Sequence, residues 1–297
     1  MEEAVTFKSG KSGDLNISGV VHTPDDLADG ERRPAVLILH GFGSRKEAGN
    51  VVGPTNMFMR WGYIVLRFDM RGCGESDGKF GHILCLEQVE DTQAAVSFMQ
   101  SRAEVDSERI AVVGSSFGAA VAVYTAGIDK RVAAVVSSGG WGNGERKFRG
   151  QHPTPEAWAA FTKILEDGRK HREETGESLM VDRHAIVPIP EHLRKNMPAG
   201  SVQEFTAETA QGMMDFTADD VIGNIAPRPV LLLHSSVDSV TPTEQSVEMF
   251  KRAGQPTDLH LTADTDHFMM AESNTRVINI IRDWLETYFP ADASVDA

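Results

Sequence analysis

The sequence predicts an α/β protein: a mostly parallel sheet of about eight strands, helices on both faces, and a helical insertion before the last strands. Three observations lead there. Short runs of branched apolar residues alternate with stretches of helical spacing, as in a parallel sheet covered on both sides. One such run, residues 110–113, ends in Gly114-x-Ser116-x-Gly118 and continues into residues 119–126, which are small and apolar on every side. The alternation stops at Gly139 and resumes only at Pro229.

In chain order, residues 5–8 and 17–22 read as two strands around a Gly/Ser/Asp turn, an antiparallel edge hairpin. Residues 25–33 are a polar loop. Residues 34–40 are a continuous apolar run, a strand buried on both faces, and end in the glycine-rich His40-Gly41-Phe42-Gly43-Ser44. Residues 61–68 are the next strand, followed by Asp69-Met70-Arg71-Gly72-Cys73-Gly74-Glu75-Ser76-Asp77-Gly78. Leu86, Val89, Val96 and Met99 place a helix over 86–103. Residues 132–137 are another buried strand. Residues 139–223 hold charged helical pieces (155–174 and 201–214), a Pro-broken stretch at 187–190 and four of the ten histidines. An insertion of this length is expected to be a functional lid. The domain reading is therefore a core of 1–138 and 224–297 with a cap of 139–223. Residues 229–234 form a strand. Thr241 is expected to cap a helix with Pro242 in its first turn, and 259–262 is a short strand. Val277, Ile281, Trp284, Leu285 and Tyr288 make the apolar stripe of a closing helix. Beyond Pro290 the tail is polar and expected to fray.

The chain has 297 residues, enough for one α/β domain with a sizeable insertion. A net charge of −14 argues against nucleic acid and anionic membrane surfaces as partners. Two cysteines, Cys73 and Cys85, make no disulfide framework, so a reducing, cytoplasmic setting is expected. The acidic start has no signal-peptide pattern and no apolar run approaches a membrane span. The expected partner is a small-molecule substrate, with homo-oligomers left open.

Strand, tight turn and helix are the context that makes Gly-x-Ser-x-Gly a nucleophile elbow. A turn this sharp brings two backbones together, and a side chain at either glycine would clash. Ser116 then stands at the carboxyl edge of the sheet, where open α/β sheets bind ligands. A serine hydroxyl needs a base, and the base an orienting acid. In this fold class the chain order is Ser, acid, His. Downstream of Ser116, Asp238 follows a strand end and His267 lies in a loop between the last strand and the last helix. Asp264 and Asp266 are alternative orienting acids. Ser115 reads as structural, and His152, His171, His184 and His192 as surface residues. Oxyanion donors are expected at the backbone N–H groups of Phe42 and Phe117. Trp141, Trp158, Phe161 and Met213 of the insertion are expected to line the substrate pocket. Gly41-x-Gly43 and Gly72-x-Gly74 fail as dinucleotide sites, because Lys46 and Asp77 stand where a third glycine belongs. No cofactor is implied, and no metal-ligand spacing is visible.

These pieces together resemble an α/β-hydrolase: His40-Gly41-Phe42-Gly43, the stretch from Asp69 to Gly78, the Ser116 elbow, Asp238 with its following Pro242, and His267. The run Ser76-Asp77-Gly78-Lys79-Phe80 is similar to bacterial feruloyl and cinnamoyl esterases of that superfamily. Their elbows more often continue His-Ser-x-Gly-Gly, where this chain has Ser-Ser-Phe-Gly-Ala. The resemblance implies a serine hydrolase cleaving a carboxylic ester through an acyl-enzyme. Hydrolysis of an amide, thioester, lactone or carbon–carbon bond stays open, as does a non-catalytic binding protein on the same scaffold.

Overall fold

The computed structural model describes residues 1–195 and 197–292. The polar tail expected to fray lies, from residue 293 on, outside the described residues.

The first half of the chain runs β1 (Glu2–Ser9), β2 (Leu15–His22), β3 (Arg33–Leu39), α1 (Gly49–Arg60), β4 (Ile64–Phe68), α2 (Cys85–Gln100), β5 (Val105–Ser115), α3 (Phe117–Ile128) and β6 (Val132–Ser138). Next come α4 (Gly144–Gln151), α5 (Pro155–Thr175), β7 (Met180–Asp182), α6 (Arg183–Ile186), α7 (Glu191–Arg194), β8 (Glu204–Thr206) and α8 (Ala207–Asp215). The chain closes with β9 (Val230–Ser235), α9 (Glu244–Arg252), β10 (Thr257–Thr262) and α10 (Thr275–Tyr288).

Eight strands form one sheet in the order β1-β2-β4-β3-β5-β6-β9-β10. Within this sheet, among the described residues, only the pairings of β1 with β2 and of β2 with β4 are antiparallel. The other strands are parallel, so β3, β5, β9 and β10 all end on one edge. Strand alternation divides the core in two. Ala35, Leu37 and Leu39 of β3 belong to the cluster that holds α2 and α3, and Val36 and Ile38 to the one that holds α1 and α10. Phe148, Phe161, Phe205 and Met213 of the insertion join the first cluster, so that segment packs continuously with the sheet face.

Several boundaries differ from the sequence reading. Helix α1 was not anticipated. The strand expected from Trp61 starts at Ile64, because Trp61 closes α1. Leu86 is exposed at 56%, so the inward stripe of α2 runs through Cys85, Val89, Val96 and Met99. The expected helix over 201–214 begins only at Ala207, because Glu204–Thr206 pairs antiparallel with β7. Tyr288 at the end of the α10 stripe is 39% exposed. Helix α9 starts at Glu244 rather than at Thr241.

Candidate active site

Ser116 sits between β5 and α3 with φ 56° and ψ −114°, a backbone conformation that costs a non-glycine residue about 1–3 kcal/mol. Its neighbours explain how the turn persists. A Cβ on Gly114 would overlap the Gly118 carbonyl oxygen, and one on Gly118 would come within 2.6 Å of both the Leu39 and His40 carbonyl oxygens. Only glycine fits at either position, so the strained serine is held where helix, strand and the β3 loop meet.

The Ser116 hydroxyl lies 2.8 Å from His267 Nε2. His267 Nδ1 lies 2.8 Å from Asp238 Oδ2 and 3.1 Å from Oδ1. Asp238 comes from the loop after β9 and His267 from the loop after β10, so three parallel strands deliver the three groups to one edge. The Asp238 Oδ1 also accepts the Val240 and Thr241 N–H groups at 2.8 and 2.7 Å. Those bonds turn the chain before α9 and are why Thr241 does not cap it. Burial alone would push the Asp238 carboxyl up. The charges and hydrogen bonds of His267 and His234 outweigh it and hold the group well below the usual carboxylate range.

His234 was missed in the sequence. It is fully buried, with Nε2 3.3 Å from Asp238 Oδ2 and 3.0 Å from the Thr241 carbonyl oxygen, and its Nδ1 is 2.6 Å from the Ser246 hydroxyl. Asp266 has a different place from the orienting one considered for it. Its carboxylate accepts the backbone N–H groups of His267 and Ser239 at 2.7 and 2.8 Å, tying the two site loops together. Asp264 sits at φ 59° in that loop, and the hydrogen-bond partners of the imidazole ring are Ser116 and Asp238.

The loop after β3 faces Ser116 from the other side. The Gly41 carbonyl oxygen accepts from the Ser44 N–H at 3.0 Å and lies 2.9 Å from His40 Nδ1. His40 Nε2 accepts the Met70 N–H at 3.1 Å, which makes Nδ1 the donor to Gly41. Burial lowers the pKa of His40, favouring that neutral form. The Gly41 carbonyl and the Phe42 N–H belong to one planar trans peptide. Fixing the carbonyl therefore fixes the N–H, which points the opposite way. Among the described residues neither the Phe42 nor the Phe117 N–H has a hydrogen-bond acceptor.

The stretch after β4 braces this loop. Asp69 accepts the Lys46 N–H at 2.6 Å, the Lys46 ammonium at 2.9 Å and the Glu75 N–H at 2.9 Å. Arg71 pairs with buried Asp91 at 2.7 Å. Cys73 and Cys85 are buried free thiols, both pushed up by burial.

A cavity of about 40 Å³ opens at Ser116 and His267, walled by Phe42, Arg183, Val187, Ile189, Met197 and Phe268 among others. It adjoins a cleft of about 530 Å³ between the start of α1 and the segment before α10. Asn50, Ser115 and Phe268 border both spaces. The four pocket residues expected from the sequence are elsewhere. Trp141, Phe161 and Met213 are each 1% exposed in the core. Trp141 packs edge-on to Phe117 at 5.6 Å, and Phe161 stacks between Phe148 and His152 at 4.4 and 4.7 Å. Trp158 lies against Phe161 at 5.9 Å and carries Arg149 over its ring. Their apolar area goes into seating the insertion on the sheet. His152 is thereby buried at 8%, not a surface residue. Among the described residues no group of three or more His, Cys, Asp or Glu is placed to hold a metal ion, and no helix is long and apolar enough to cross a membrane.

The sequence model of the family described as "Serine aminopeptidase, S33" matches residues 30–274. The chain is 26% identical over 247 residues to the polyketide transferase grgF of Penicillium sp., covering 80% of this chain and 82% of that one. It is 26% identical over 255 residues to the thiohydrolase aneE of Aspergillus aculeatus, covering 79% and 78%. The crystal structure of the α/β-hydrolase GrgF superimposes with a TM-score of 0.80 at 22% identity, over 97% of this chain and 99% of that one. Est1E of Butyrivibrio proteoclasticus with ferulic acid bound gives 0.67 at 18% identity, over 95% and 98%.

Proposed function

The chain belongs to the S33 family and is an α/β-hydrolase enzyme, and from that premise we propose that it is a serine hydrolase that opens a carboxylic ester through an acyl-enzyme. The observation that carries this reading is the unbroken chain of contacts Ser116–His267–Asp238, at 2.8 Å in each link. In the first half-reaction the Ser116 oxygen attacks the carbonyl carbon while its proton passes to His267 Nε2. The carbonyl π pair moves onto oxygen, where the Phe42 and Phe117 N–H groups stabilise it. Collapse expels the alkoxide, which leaves as the alcohol with the proton from His267. Water then repeats the sequence on the acyl-serine and releases the acid. Asp238 orients the imidazole, stabilises its charged form and has His234 and two N–H groups to hold it ionised. Residues 139–223 act as the cap over a core of 1–138 and 224–297, with Val187, Ile189 and Met197 facing the reacting bond.

Ester cleavage is favoured over aminopeptidase action by the walls of the cavity. A free amino terminus needs a carboxylate partner, but the charged side chain lining the Ser116 cavity is a cation, Arg183. Glu272, in the adjoining cleft, pairs with Arg60. A thioester, or transfer of the acyl group to an acceptor other than water, is the second reading. It is favoured by likeness, over about four fifths of the chain, to proteins named as a thiohydrolase and a polyketide transferase.

The test is a substrate panel: p-nitrophenyl esters of rising chain length, feruloyl esters, acyl thioesters and simple amides, with and without an acceptor alcohol. A fluorophosphonate label on Ser116 is read alongside. Ester turnover together with labelling is expected. An unlabelled Ser116 with no turnover would return the chain to a binding role.

A further inference from the structure

We propose that Arg183, from the insertion, is a positioning residue for the reaction: it fixes the Phe42 segment of the oxyanion loop and keeps a positive charge beside the place where the oxyanion forms. The inference rests on the serine-hydrolase reading above.

Arg183 is the first residue of α6 and is 5% exposed. Its Nη2 donates to the Phe42 carbonyl at 2.6 Å and its Nη1 to the Val202 carbonyl at 2.7 Å. The guanidinium lies 5.3 Å from the Phe42 ring centre and 5.7 Å from that of Phe205, and those two rings stack at 4.0 Å. Gly43, at φ 56°, makes this approach possible, since a Cβ there would sit 3.1 Å from Arg183 Nη1 and overlap Phe205. What the guanidinium lacks is a carboxylate. Among the described residues no acid lies within ion-pair distance of Arg183, and its Nε is buried without a partner. Burial pushes its pKa down to about 10, which still leaves it charged near neutral pH.

A buried cation without a counter-ion is costly, and two other buried cations near the site have one: Arg71 meets Asp91, and Lys46 meets Asp69. Arg183 is supported by two carbonyl dipoles and two ring faces instead. The charge is therefore left uncompensated in the wall of the cavity that holds Ser116 and His267. In that low-dielectric setting it favours any state in which negative charge appears nearby. The tetrahedral intermediate is such a state, whereas the neutral ester is not. The same group holds the loop geometrically. His40 and Ser44 fix the peptide before Phe42, and Arg183 fixes the peptide after it, so the Phe42 N–H is set from both sides.

The test uses Arg183→Met, Arg183→Lys and Arg183→Gln in the full chain. For each variant the fluorophosphonate labelling rate of Ser116, kcat and KM on a p-nitrophenyl ester, and the thermal melt are measured. Affinity for a trifluoromethyl ketone, which forms an anionic serine adduct, is compared with affinity for the neutral alcohol product. Arg183→Met is expected to lower kcat and labelling about 10- to 100-fold while KM stays within about threefold. Ketone affinity should fall in step with kcat/KM, and alcohol affinity should not move. Lys keeps the charge and Gln keeps one donor, so partial recovery in each separates electrostatics from loop positioning. If the folded variants label at the wild-type rate, the inference is overturned and the serine-hydrolase reading stands. If wild-type Ser116 is itself unlabelled, that reading has failed first. Failure of all three variants to fold would assign Arg183 to stability alone and likewise overturn the proposal.

Discussion

Ser116 has a strained backbone and a hydrogen-bonded neighbour, His267, which Asp238 in turn contacts, and each part can be removed separately. Ser116→Ala should abolish ester turnover while leaving the melting temperature within a few degrees, because the hydroxyl adds no packing. Ser115→Ala should alter KM before kcat, since Ser115 only borders the cavity. A dead Ser115 variant beside an active Ser116 variant would move the nucleophile. Asp238→Asn should lower kcat about 10⁴-fold by favouring the wrong His267 tautomer. Asp266→Asn, which loosens the tie between the two loops, should cost far less; measured rates in the opposite order would exchange their roles. The grouping of Ser116, Asp238 and His267 was legible because the elbow marks the serine, and an acid and a histidine follow in that order in loops just past strand ends on the same edge. His234 was not, because a histidine ending an apolar strand looks the same whether it serves a core hydrogen bond or a carboxylate. Arg183 escaped because its partners are the carbonyls of Phe42 and Val202, and side-chain pattern does not encode backbone acceptors.

Elements were legible where burial sets the pattern and illegible where tertiary contacts override local propensity. The β5–α3 turn belongs to the first kind. Gly118→Ala would press a Cβ against two carbonyl oxygens of the β3 loop. It should yield little folded protein, and soluble protein of wild-type melting temperature would show that the turn can relax. Helix α1 belongs to the second kind. Gly49, Gly53 and Pro54 argue against a helix in the sequence, yet Val51, Met57 and Phe58 are buried on the α10 side of the sheet and carry it. Helix α4 holds a further surprise in Lys147, 2% exposed, with its ammonium 2.8 Å from the Gln151 side chain and 3.8 Å from the Phe148 ring centre. Burial lowers its pKa to about 7. Below that pH the folded state bears the full cost of a buried charge. Between about pH 7 and the ordinary lysine value near 10.5, the folded chain releases a proton that the unfolded chain keeps, so stability rises with pH. Lys147→Met should thus stabilise by roughly 1–3 kcal/mol near pH 7, with the gain shrinking toward pH 10. Melts at pH 6, 8 and 10 check the slope, and a gain independent of pH would mean that the ammonium is not desolvated as described.

Over the whole molecule, the sheet brings Ser116, Asp238 and His267 to one edge, and residues 139–223 leave it after β6 and rejoin it before β9. The sequence pointed to the segment but not to its useful side chains. Large aromatics such as Trp141 and Phe161 attract notice, yet their size is what draws them into the core, whereas the medium-sized Val187, Ile189 and Met197 in irregular Pro-broken chain border the cavity. The two groups should behave oppositely. Phe161→Ala deletes a fully buried ring stacked on Phe148 and His152, which should cost about 3–5 kcal/mol and lower the melting temperature while preserving the order of preferred esters. Ile189→Ala and Met197→Ala enlarge a cavity of only about 40 Å³. Each should shift preference toward longer acyl chains, by roughly tenfold in relative kcat/KM for a gain of one or two methylenes; the melt should move little for half-buried Met197 and further for buried Ile189. Profiling the ester series beside the thermal melts distinguishes the cases. If Ile189→Ala and Met197→Ala keep the wild-type order while Phe161→Ala changes it, the acyl group is read by the packed aromatics and the small cavity is not where the substrate lies.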